Sequence, residues 1–289
     1  MSKTQFFSRL RTLVITLTLI ALFSGCSLIK LPTRQQPGSP NKSVHLMLGN
    51  PSDATESIAN SDNYLMVKPQ YALSYNKSNE TANWTSWQLN KSWLGTIDRQ
   101  NNFRPDATLP VSWERVTPSI YTSSRYDKGH IVPSGDRTRT TEENSATFLM
   151  TNIIPQTPDN NRRTWESLES YCRQLVKSGK ELYIIAGVLG SQGKLLKGNV
   201  TIPASTWKIV VVLDRPGAGI SGITSDTRVI AVNIPNQQGI NPDWKAYRVS
   251  VDKLEELTRY NFLSNIPIHI QDIIEDKIDI SLSKAVKYS

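Results

Sequence analysis

The segment STWKIVVVLD, residues 205–214, limits the fold more than any other part of this sequence. It is nearly continuous in apolar and β-branched residues, which favours a strand. A strand with one face in water alternates apolar and polar residues, whereas a strand that is apolar at successive positions is covered on both faces. The segment therefore predicts a central strand with packed layers on both sides of its sheet.

Six further segments are predicted as strands because they are rich in β-branched and aromatic residues. They are residues 64–67, 70–74, 84–90, 147–152, 181–187 and 228–234. Two segments, residues 157–180 and 250–263, predict helices, and Ser250 is suited to the N-cap of the second. Because strands stand before, between and after the helices without regular alternation, we expect an α+β fold.

The first predicted helix shows signals for both of its ends. Thr157 is a suitable N-cap and Pro158 fits the first helical position, while Gly179 is a typical helix stop. An apolar stripe recurs between them at helical spacing. Cys172 lies on that stripe, so we expect it to be a small core residue rather than a nucleophile.

The first 26 residues have the layout of an export signal. A basic start is followed by the apolar residues 13–23 and then by small residues before Cys26. That run is too short for a membrane span, which takes roughly 18 apolar residues or more. Residues 27–43 resemble a flexible linker rich in proline and serine, and residues 44–289 suffice for one domain with its own core.

Cys26 leaves two interpretations of this signal open. The sequence LFSGC is similar to a bacterial lipoprotein signal, in which the cysteine is lipidated and becomes the first residue, but Phe23 stands where leucine is usual. The alternative is an ordinary secretory signal that is cleaved nearby. In both cases we expect an exported protein, periplasmic or extracellular, whose contact with a membrane is limited to a lipid on Cys26.

Net charge limits the kinds of binding partner, and the number of cysteines limits how the exported domain can be stabilised. The chain has 33 basic and 25 acidic residues, and removal of residues 1–25 would lower its net charge from +8 to +5 by taking away three basic residues. Such a charge is compatible with a polyanionic partner without selecting one. If Cys26 is removed or lipidated, Cys172 has no partner, and the exported domain depends on its core.

Several common catalytic motifs are missing from the sequence. The three histidines, His45, His130 and His269, are far apart, and neither HExxH nor CxxC occurs, which disfavours a zinc protease. There is also no GxSxG motif and no phosphate-binding GKS or GKT loop.

The segment YDKGH, residues 126–130, contains a candidate for catalysis. An isolated histidine is more often structural than catalytic, but imidazole is the side chain that titrates near neutral pH. Asp127 and Lys128 place both signs of charge beside His130. We expect Gly129 to allow a tight turn and to remove bulk next to the imidazole.

The first predicted helix offers a second group of candidates. Asn161 lies in its first turn and Glu169 two turns later, where the carboxylate leans back toward the helix N-terminus. Arg173 follows Glu169 by four residues on the same face, where it can orient the carboxylate or bind an anion. Each residue also has a purely structural explanation, with Asn161 as a first-turn residue and Glu169 and Arg173 as a solvated ion pair.

Taken together, YDKGHIVPSGDRT and FLMTNIIPQTPDNNRRTWESLESYCRQL resemble the DNA/RNA non-specific endonucleases. The family motifs are D-R-G-H and N-x-x-x-W-x-x-L-E, and the second is matched here by Asn161, Trp165, Leu168 and Glu169. The similarity runs from about residue 44 to about residue 263, and within the family it is greatest to the exported sugar-non-specific nuclease of cyanobacteria. It implies a ββα-metal (His-metal finger) fold with a central antiparallel sheet flanked by helices.

The resemblance also implies roles for the candidates. His130 is implied as the general base that takes a proton from the attacking water, so activity should fall as the pH drops through its pKa. Asn161 is implied as the direct protein ligand of Mg²⁺ or Mn²⁺, with Glu169 acting on the metal through water. A single neutral ligand leaves the charge of the ion available to the transition state.

The remaining family residues are implied to bind phosphate. Arg99 and Arg173 would hold the scissile phosphate, and Asp127 would support the site from behind. None of these groups reads a base edge or a 2′-hydroxyl, so DNA and RNA, single- or double-stranded, should both be cut. Lys128 departs from the arginine of the motif; we expect one donor fewer and a lower rate, and the alternative is a weakened site in a degenerate copy.

The sequence thus predicts a metal-dependent endonuclease that cuts DNA and RNA without sugar or sequence preference and leaves 5′-phosphate ends. One alternative is a non-catalytic surface lipoprotein that binds extracellular nucleic acid, and a weaker one is a structural envelope lipoprotein. The intact set of His130, Asn161 and Glu169 favours catalysis, because a binding protein would not need it. A protein inhibitor made by the same cell is compatible with such a nuclease.

Overall fold

The computed structural model describes residues 43–280. The predicted export signal, residues 1–26, and the predicted linker up to residue 42 lie outside the described residues. Within residues 43–280, no helix combines the length and the apolar character that a membrane crossing requires.

Nine strands and four α-helices make up the described domain. The strands are β1 (Tyr64–Val67), β2 (Ala72–Asn76), β3 (Thr81–Leu89), β4 (Asp127–His130), β5 (Ile153–Gln156), β6 (Glu181–Leu189), β7 (Ser205–Leu213), β8 (Arg228–Pro235) and β9 (Arg248–Val249). The helices are α1 (Thr141–Ala146), α2 (Glu166–Lys177), α3 (Val251–Thr258) and α4 (Ile268–Ile274).

Seven of the strands form one sheet in the order β1-β2-β3-β6-β7-β8-β9, and every neighbouring pair is antiparallel. Strands β4 and β5 form a separate antiparallel pair. Six strands of this sheet, β1 to β3 and β6 to β8, agree with predicted segments whose ends shift by a few residues, while the short β9 was not predicted. The sheet confirms the expected α+β fold with a central antiparallel sheet.

Strand β7 is buried at every residue after its first, as its continuous apolar sequence predicts. Val210 and Val212 point into one core together with the apolar stripe of α2. Ile209 and Val211 point into a second core on the opposite face, which α3 and α4 cover. The sheet is therefore the middle of three layers.

Both predicted helix starts are confirmed by their caps. Thr157 Oγ1 accepts a hydrogen bond from the backbone N–H of Asn160 at 3.4 Å, and Ser250 Oγ accepts one from that of Lys253 at 3.1 Å. The first helix is interrupted, however, by a π-helical turn, Asn160–Trp165, before α2 begins. The second ends earlier than predicted, at Thr258, because the next residue adopts a left-handed conformation.

The prediction of a strand over residues 147–152 is wrong. This segment follows α1 and contains a 3₁₀ turn, Met150–Asn152, and the strand begins only at β5. The side chain of Asn152 explains the difference, because it donates to the backbone oxygens of Val132 and Thr147, both at 2.9 Å. It also accepts from the backbone N–H of Val132 at 3.0 Å and so replaces the contacts of a ladder.

Strand β4, which contains the candidate histidine, pairs with β5, and the helix follows directly, as a ββα unit requires. The expectation of a tight turn at Gly129 is wrong, because this residue lies within β4 opposite Ile154. Glycine is needed for a different reason: a Cβ at this position would lie 2.6 Å from Cδ of Gln156.

Candidate active site

A cavity of about 410 Å³ lies where β4 meets the first helix. It brings together six of the seven residues predicted for the site, while Asp127 lies behind its wall. The six are Arg99, Lys128, His130, Asn161, Glu169 and Arg173.

His130 occupies the last position of β4 and is only 7% exposed. Its ring packs with two aromatic rings in a three-membered cluster, with centroid distances of 5.3 Å to Phe103 and 4.8 Å to Phe148, which themselves lie 5.0 Å apart. Burial, together with the charge of Arg99, lowers the pKa of His130 to about 3, so the imidazole is neutral at neutral pH. Its Nε2 is buried without a hydrogen-bond partner among the described residues.

The backbone of His130 is tied to the helix by an indole. Nε1 of Trp165 donates to the carbonyl oxygen of His130 at 3.3 Å, and Trp165 itself is 1% exposed. The tryptophan of the second motif therefore connects the strand and the helix of the ββα unit.

Asn161 is oriented by the carboxylate of Asp127. Nδ2 of Asn161 donates to Oδ2 of Asp127 at 2.9 Å, which leaves the amide oxygen without a partner among the described residues. Burial acts to raise the pKa of Asp127, but hydrogen bonds from Arg162 and Asn161 outweigh it and hold the pKa below its usual value. Asp127 is thus ionised and acts as a fixed acceptor.

The π-helical turn places Asn161 by anchoring the residue before it. The side chain of Asn160 is fully buried and donates to Thr206 Oγ1 on β7 at 3.1 Å and to the carbonyl oxygen of Pro235 at 3.3 Å. With Asn160 held against the sheet, the half-buried side chain of Asn161 lines the cavity. π-Turns within α-helices are frequent at functional sites.

Glu169 is a buried carboxylate that faces the cavity. It is 9% exposed, and its carboxylate forms no hydrogen bond or ion pair with the described residues. Burial raises the pKa of Glu169 to about 7, against the charges of Lys208 and Arg173, which lower it. The expected alternative of a solvated ion pair between Glu169 and Arg173 is therefore wrong, since neither residue is exposed and no such pair forms.

Arg173 is held instead by an acid that the motif analysis missed. Its Nη1 donates to Oδ1 of Asp136 at 3.2 Å, and its Nη2 donates to Ser170 Oγ at 3.0 Å. Asp136 is 1% exposed and also accepts from Nε1 of Trp87 at 3.0 Å. The signal was in the sequence, because Asp136 follows His130 by six residues within the segment that resembles the family.

Two basic side chains pack on the phenyl rings that contact the imidazole. The guanidinium of Arg99 stands 4.8 Å from the centroid of Phe148 and donates to Ser134 Oγ at 2.6 Å. The ammonium of Lys128 stands 4.9 Å from the centroid of Phe103. Packing on a ring thus positions both positive charges at the cavity, and Arg99 is held in addition by its hydrogen bond to Ser134.

Lys208 is a second residue that sequence reasoning missed. It lies on β7, is 1% exposed, and places its ammonium 4.0 Å from the ring centroid of Trp165. Its charge opposes the effect of burial on Glu169. A single charged residue in an otherwise apolar central strand was the available signal, since lysine is almost never fully buried without a reason.

The free polar atoms at the cavity fit a hard divalent cation. Asn161 offers an amide oxygen without a donor, and Glu169 offers a buried carboxylate without a partner. Mg²⁺ and Mn²⁺ take oxygen ligands of these kinds and retain several waters. The residues therefore fit the ion that the sequence resemblance implies.

Comparisons with known proteins identify the family of this chain. Residues 49–268 match the family described as DNA/RNA non-specific endonuclease. The chain is 65% identical over 263 residues to a nuclease of Nostoc sp. (strain PCC 7120), covering 90% of this chain and 96% of that protein. It is 33% identical over 190 residues to nuclease C1 of Cunninghamella echinulata var. echinulata, covering 60% of this chain and 72% of that protein.

The fold has a solved counterpart. A chain in the crystal structure of the EndoG/EndoGI complex aligns with a TM-score of 0.63 at 21% identity, covering 78% of this chain and 91% of that chain. This agreement in fold, together with the ββα unit formed by β4, β5 and the first helix, confirms the fold expected from the sequence. Family match, relatives and fold together show that this chain is a nuclease that belongs to the DNA/RNA non-specific endonuclease family.

Proposed function

We propose that His130, Asn161 and Glu169 form the catalytic centre of this nuclease and that cleavage leaves 5′-phosphate ends. The proposal rests on one observation: three groups with complementary chemistry line the same cavity. They are the neutral imidazole of His130, the free amide oxygen of Asn161 and the unpaired buried carboxylate of Glu169. An isolated structural histidine or a surface ion pair would not bring these three together.

His130 acts as the base. Because Nε2 is enclosed by the packed rings, we assign proton transfer from the attacking water to Nδ1. The low pKa keeps the imidazole unprotonated at neutral pH, which is the form that a general base requires. The hydrogen bond from Trp165 to the backbone of His130 holds the strand in position during this transfer.

Asn161 and Glu169 hold the metal ion, Mg²⁺ or Mn²⁺, the first directly and the second through water. When bound, the ion supplies positive charge to the phosphate and to the leaving oxygen. Asp127 fixes the amide of Asn161, so its oxygen rather than its nitrogen is available to the ion. The choice of ion is part of this proposal.

Three cations bind the backbone of the substrate. Arg99 and Arg173 present planar guanidinium groups that match phosphate geometry, and Lys128 adds a single ammonium. Contacts to phosphate position the substrate without specifying its sequence. Single- and double-stranded DNA and RNA are therefore all expected as substrates.

The test is cleavage of supercoiled plasmid and of purified RNA by the described domain, with Mg²⁺ or Mn²⁺ and then with EDTA. Wild-type protein should cut both substrates only with metal, whereas His130→Ala and Asn161→Ala should be greatly impaired. Product ends should accept a kinase label only after phosphatase treatment, as 5′-phosphates do. Wild-type protein that binds plasmid but cuts no better than His130→Ala would favour the non-catalytic alternative.

We further propose that the chain is exported and that Cys26 is its point of lipid attachment. The proposal rests on the basic start, the short apolar run and the sequence LFSGC. Palmitate labelling of the wild type, absent in Cys26→Ala, and accumulation of an unprocessed form with globomycin would support it. A protein that is processed normally in globomycin and takes up no palmitate would indicate an ordinary secretory signal.

We also propose that a protein inhibitor made by the same cell controls this nuclease. The similar fold in the EndoG/EndoGI complex, which concerns the inhibition of EndoG, is what supports it. Cell extract should suppress plasmid cleavage by the added pure domain, and protease treatment of the extract should restore cleavage. An extract without such an effect would contradict the proposal.

A further inference from the structure

A second cluster of acidic groups lies at the C-terminal helices. One oxygen from each of Asp252, Glu255 and Glu275 lies within 4.8 Å of the other two. Asp252 and Glu255 stand one turn apart on α3, and Glu275 follows the last residue of α4. None of the three lines the active-site cavity, so the cluster is separate from the proposed catalytic centre.

The three carboxylates have no cation of their own. No lysine or arginine among residues 43–280 forms an ion pair with Asp252, Glu255 or Glu275. Lys253 lies between Asp252 and Glu255 in sequence, but its Nζ pairs with Oε2 of Glu256 at 2.7 Å. The described residues therefore supply no cation to these three acids, and their one backbone donor to the carboxylates of the cluster is the N–H of Phe262, 2.6 Å from Glu255 Oε1.

Glu275 is the member that points to a ligand. Its side chain is 6% exposed, and its Oε1 is buried without a hydrogen-bond donor among the described residues. Burial and the neighbouring Glu255 and Asp252 raise the pKa of Glu275 to about 8. A buried carboxyl group beside two others therefore either keeps its proton or takes up a positive ligand, and a bound cation would displace that proton.

We propose that Asp252, Glu255 and Glu275 bind a calcium ion that joins α3 to the end of α4. All the ligands on offer are carboxylate oxygens, which excludes the nitrogen and sulfur set that zinc prefers. Ca²⁺ accepts six to eight oxygens in irregular geometry, whereas Mg²⁺ demands a regular octahedron. Oε1 of Glu255 already accepts from the backbone N–H of Phe262 at 2.6 Å, so the remaining carboxylate oxygens and water at the exposed Asp252 would complete the ligand set.

The ion would stabilise the layer that covers one face of the sheet. Val251 and Leu254 of α3 and Ile274 of α4 pack into the same core beneath the cluster. The backbone N–H of Asp252 already donates to the carbonyl oxygen of Glu275 at 3.2 Å, so the two segments are in contact where the ion would bind. Calcium thereby links the two helices without taking part in catalysis.

The test is thermal unfolding and calorimetric titration with Ca²⁺ of the full chain carrying Asn161→Ala, which removes the proposed ligand of the active-site metal. Ca²⁺ at a hundred times its dissociation constant should raise Tm by about 5–10 °C relative to EDTA. One ion should bind per chain, and Mg²⁺ should produce a smaller shift.

Glu275→Gln, added to the same chain, should abolish the Ca²⁺-dependent shift while Tm in EDTA stays equal or rises, because the amide cannot ionise beside the other two carboxylates. Glu256→Gln is the matched control, since it changes an acid on the same helix outside the cluster and should keep the shift. An equal Ca²⁺ shift with and without Glu275→Gln, or no shift in either protein, would overturn the site. A shift with Mg²⁺ that equals that with Ca²⁺ would overturn the assignment to calcium.

Discussion

Asp127 Oδ2 accepts a hydrogen bond from Nδ2 of Asn161 at 2.9 Å, so a carboxylate on the strand decides which atom of the helical amide faces the cavity. We expect Asp127→Asn to lower metal-dependent cleavage about 10–100-fold and to raise the metal concentration needed, because an amide partner no longer enforces that orientation. Initial rates over a titration of Mn²⁺ would measure both effects.

Arg162→Gln is the control for this variant. It removes the other partner of Asp127, whose Nε and Nη2 contacts are both 2.7 Å, and leaves the contact to Asn161 in place. Its effect on the metal requirement should be much smaller. Equal losses in the two variants would mean that Asp127 acts through charge alone and not through the amide.

Lys128→Arg should preserve or increase turnover, because it restores the planar donor that the family motif carries at this position. Lys128→Met keeps the packing on Phe103, 4.9 Å from the ammonium, but removes the charge, and it should weaken substrate binding. Steady-state kinetics on plasmid and RNA would separate KM from kcat. A large loss with arginine would reveal a function that only the single ammonium supplies.

The pH dependence should follow Glu169 rather than His130. The pKa of Glu169 is about 7 and that of His130 about 3, both shifted chiefly by burial. At limiting metal, kcat/KM should therefore fall as the pH drops below about 7, where Glu169 takes up a proton and loses its affinity for the ion. At saturating metal the fall should move to lower pH, because the ion competes with the proton.

Measured profiles at several metal concentrations distinguish the two residues. In Glu169→Gln, activity should be low, and the pH at which it falls should no longer shift with metal concentration. An acid limb that stays near pH 6.5 at every metal concentration would show that His130 titrates with an ordinary pKa and would contradict its enclosed position.

Gly129→Ala should destabilise the protein by about 1–3 kcal/mol, because the new methyl group meets the side chain of Gln156 across the two-stranded ladder. Gln156→Ala removes the side chain that the new methyl group meets, so Gly129→Ala should lower the free energy of unfolding by less in the double variant. Urea unfolding of the four proteins gives the coupling energy. Strictly additive effects would show that Gly129 serves backbone conformation instead.

Long-range pairing accounts for what the sequence could not predict. The apolar segments of β6, β7 and β8 carry their own strand signal, because their residues are buried on both faces. Strand β4 has no such signal: DKGH is polar, and it is a strand only because β5 pairs with it. Residues 147–152 show the opposite error, because their apolar content predicts a strand where the structure has a buried turn, which the side chain of Asn152 stabilises.

Within the site, the motif residues and the supporting Asp127 were predicted, whereas the positions of two other supports, Asp136 and Lys208, follow only from the fold. Asp136 and Lys208 reach the cavity region from a turn and from the central strand, and no local spacing relates them to Glu169. The π-helical turn is equally hidden, because it depends on the contact of Asn160 with Thr206 on a strand far along the chain.

The ββα unit lies in the chain between β3 and β6, which are neighbours in the sheet. A growing polypeptide has every proposed catalytic side chain once Arg173 is made, yet the strands beneath the helix, β6 to β8, are still to come. A short helix without its packing surface is marginal in water. We therefore expect the growing chain to be inactive until β6 to β8 have been made and the first helix has its packing surface.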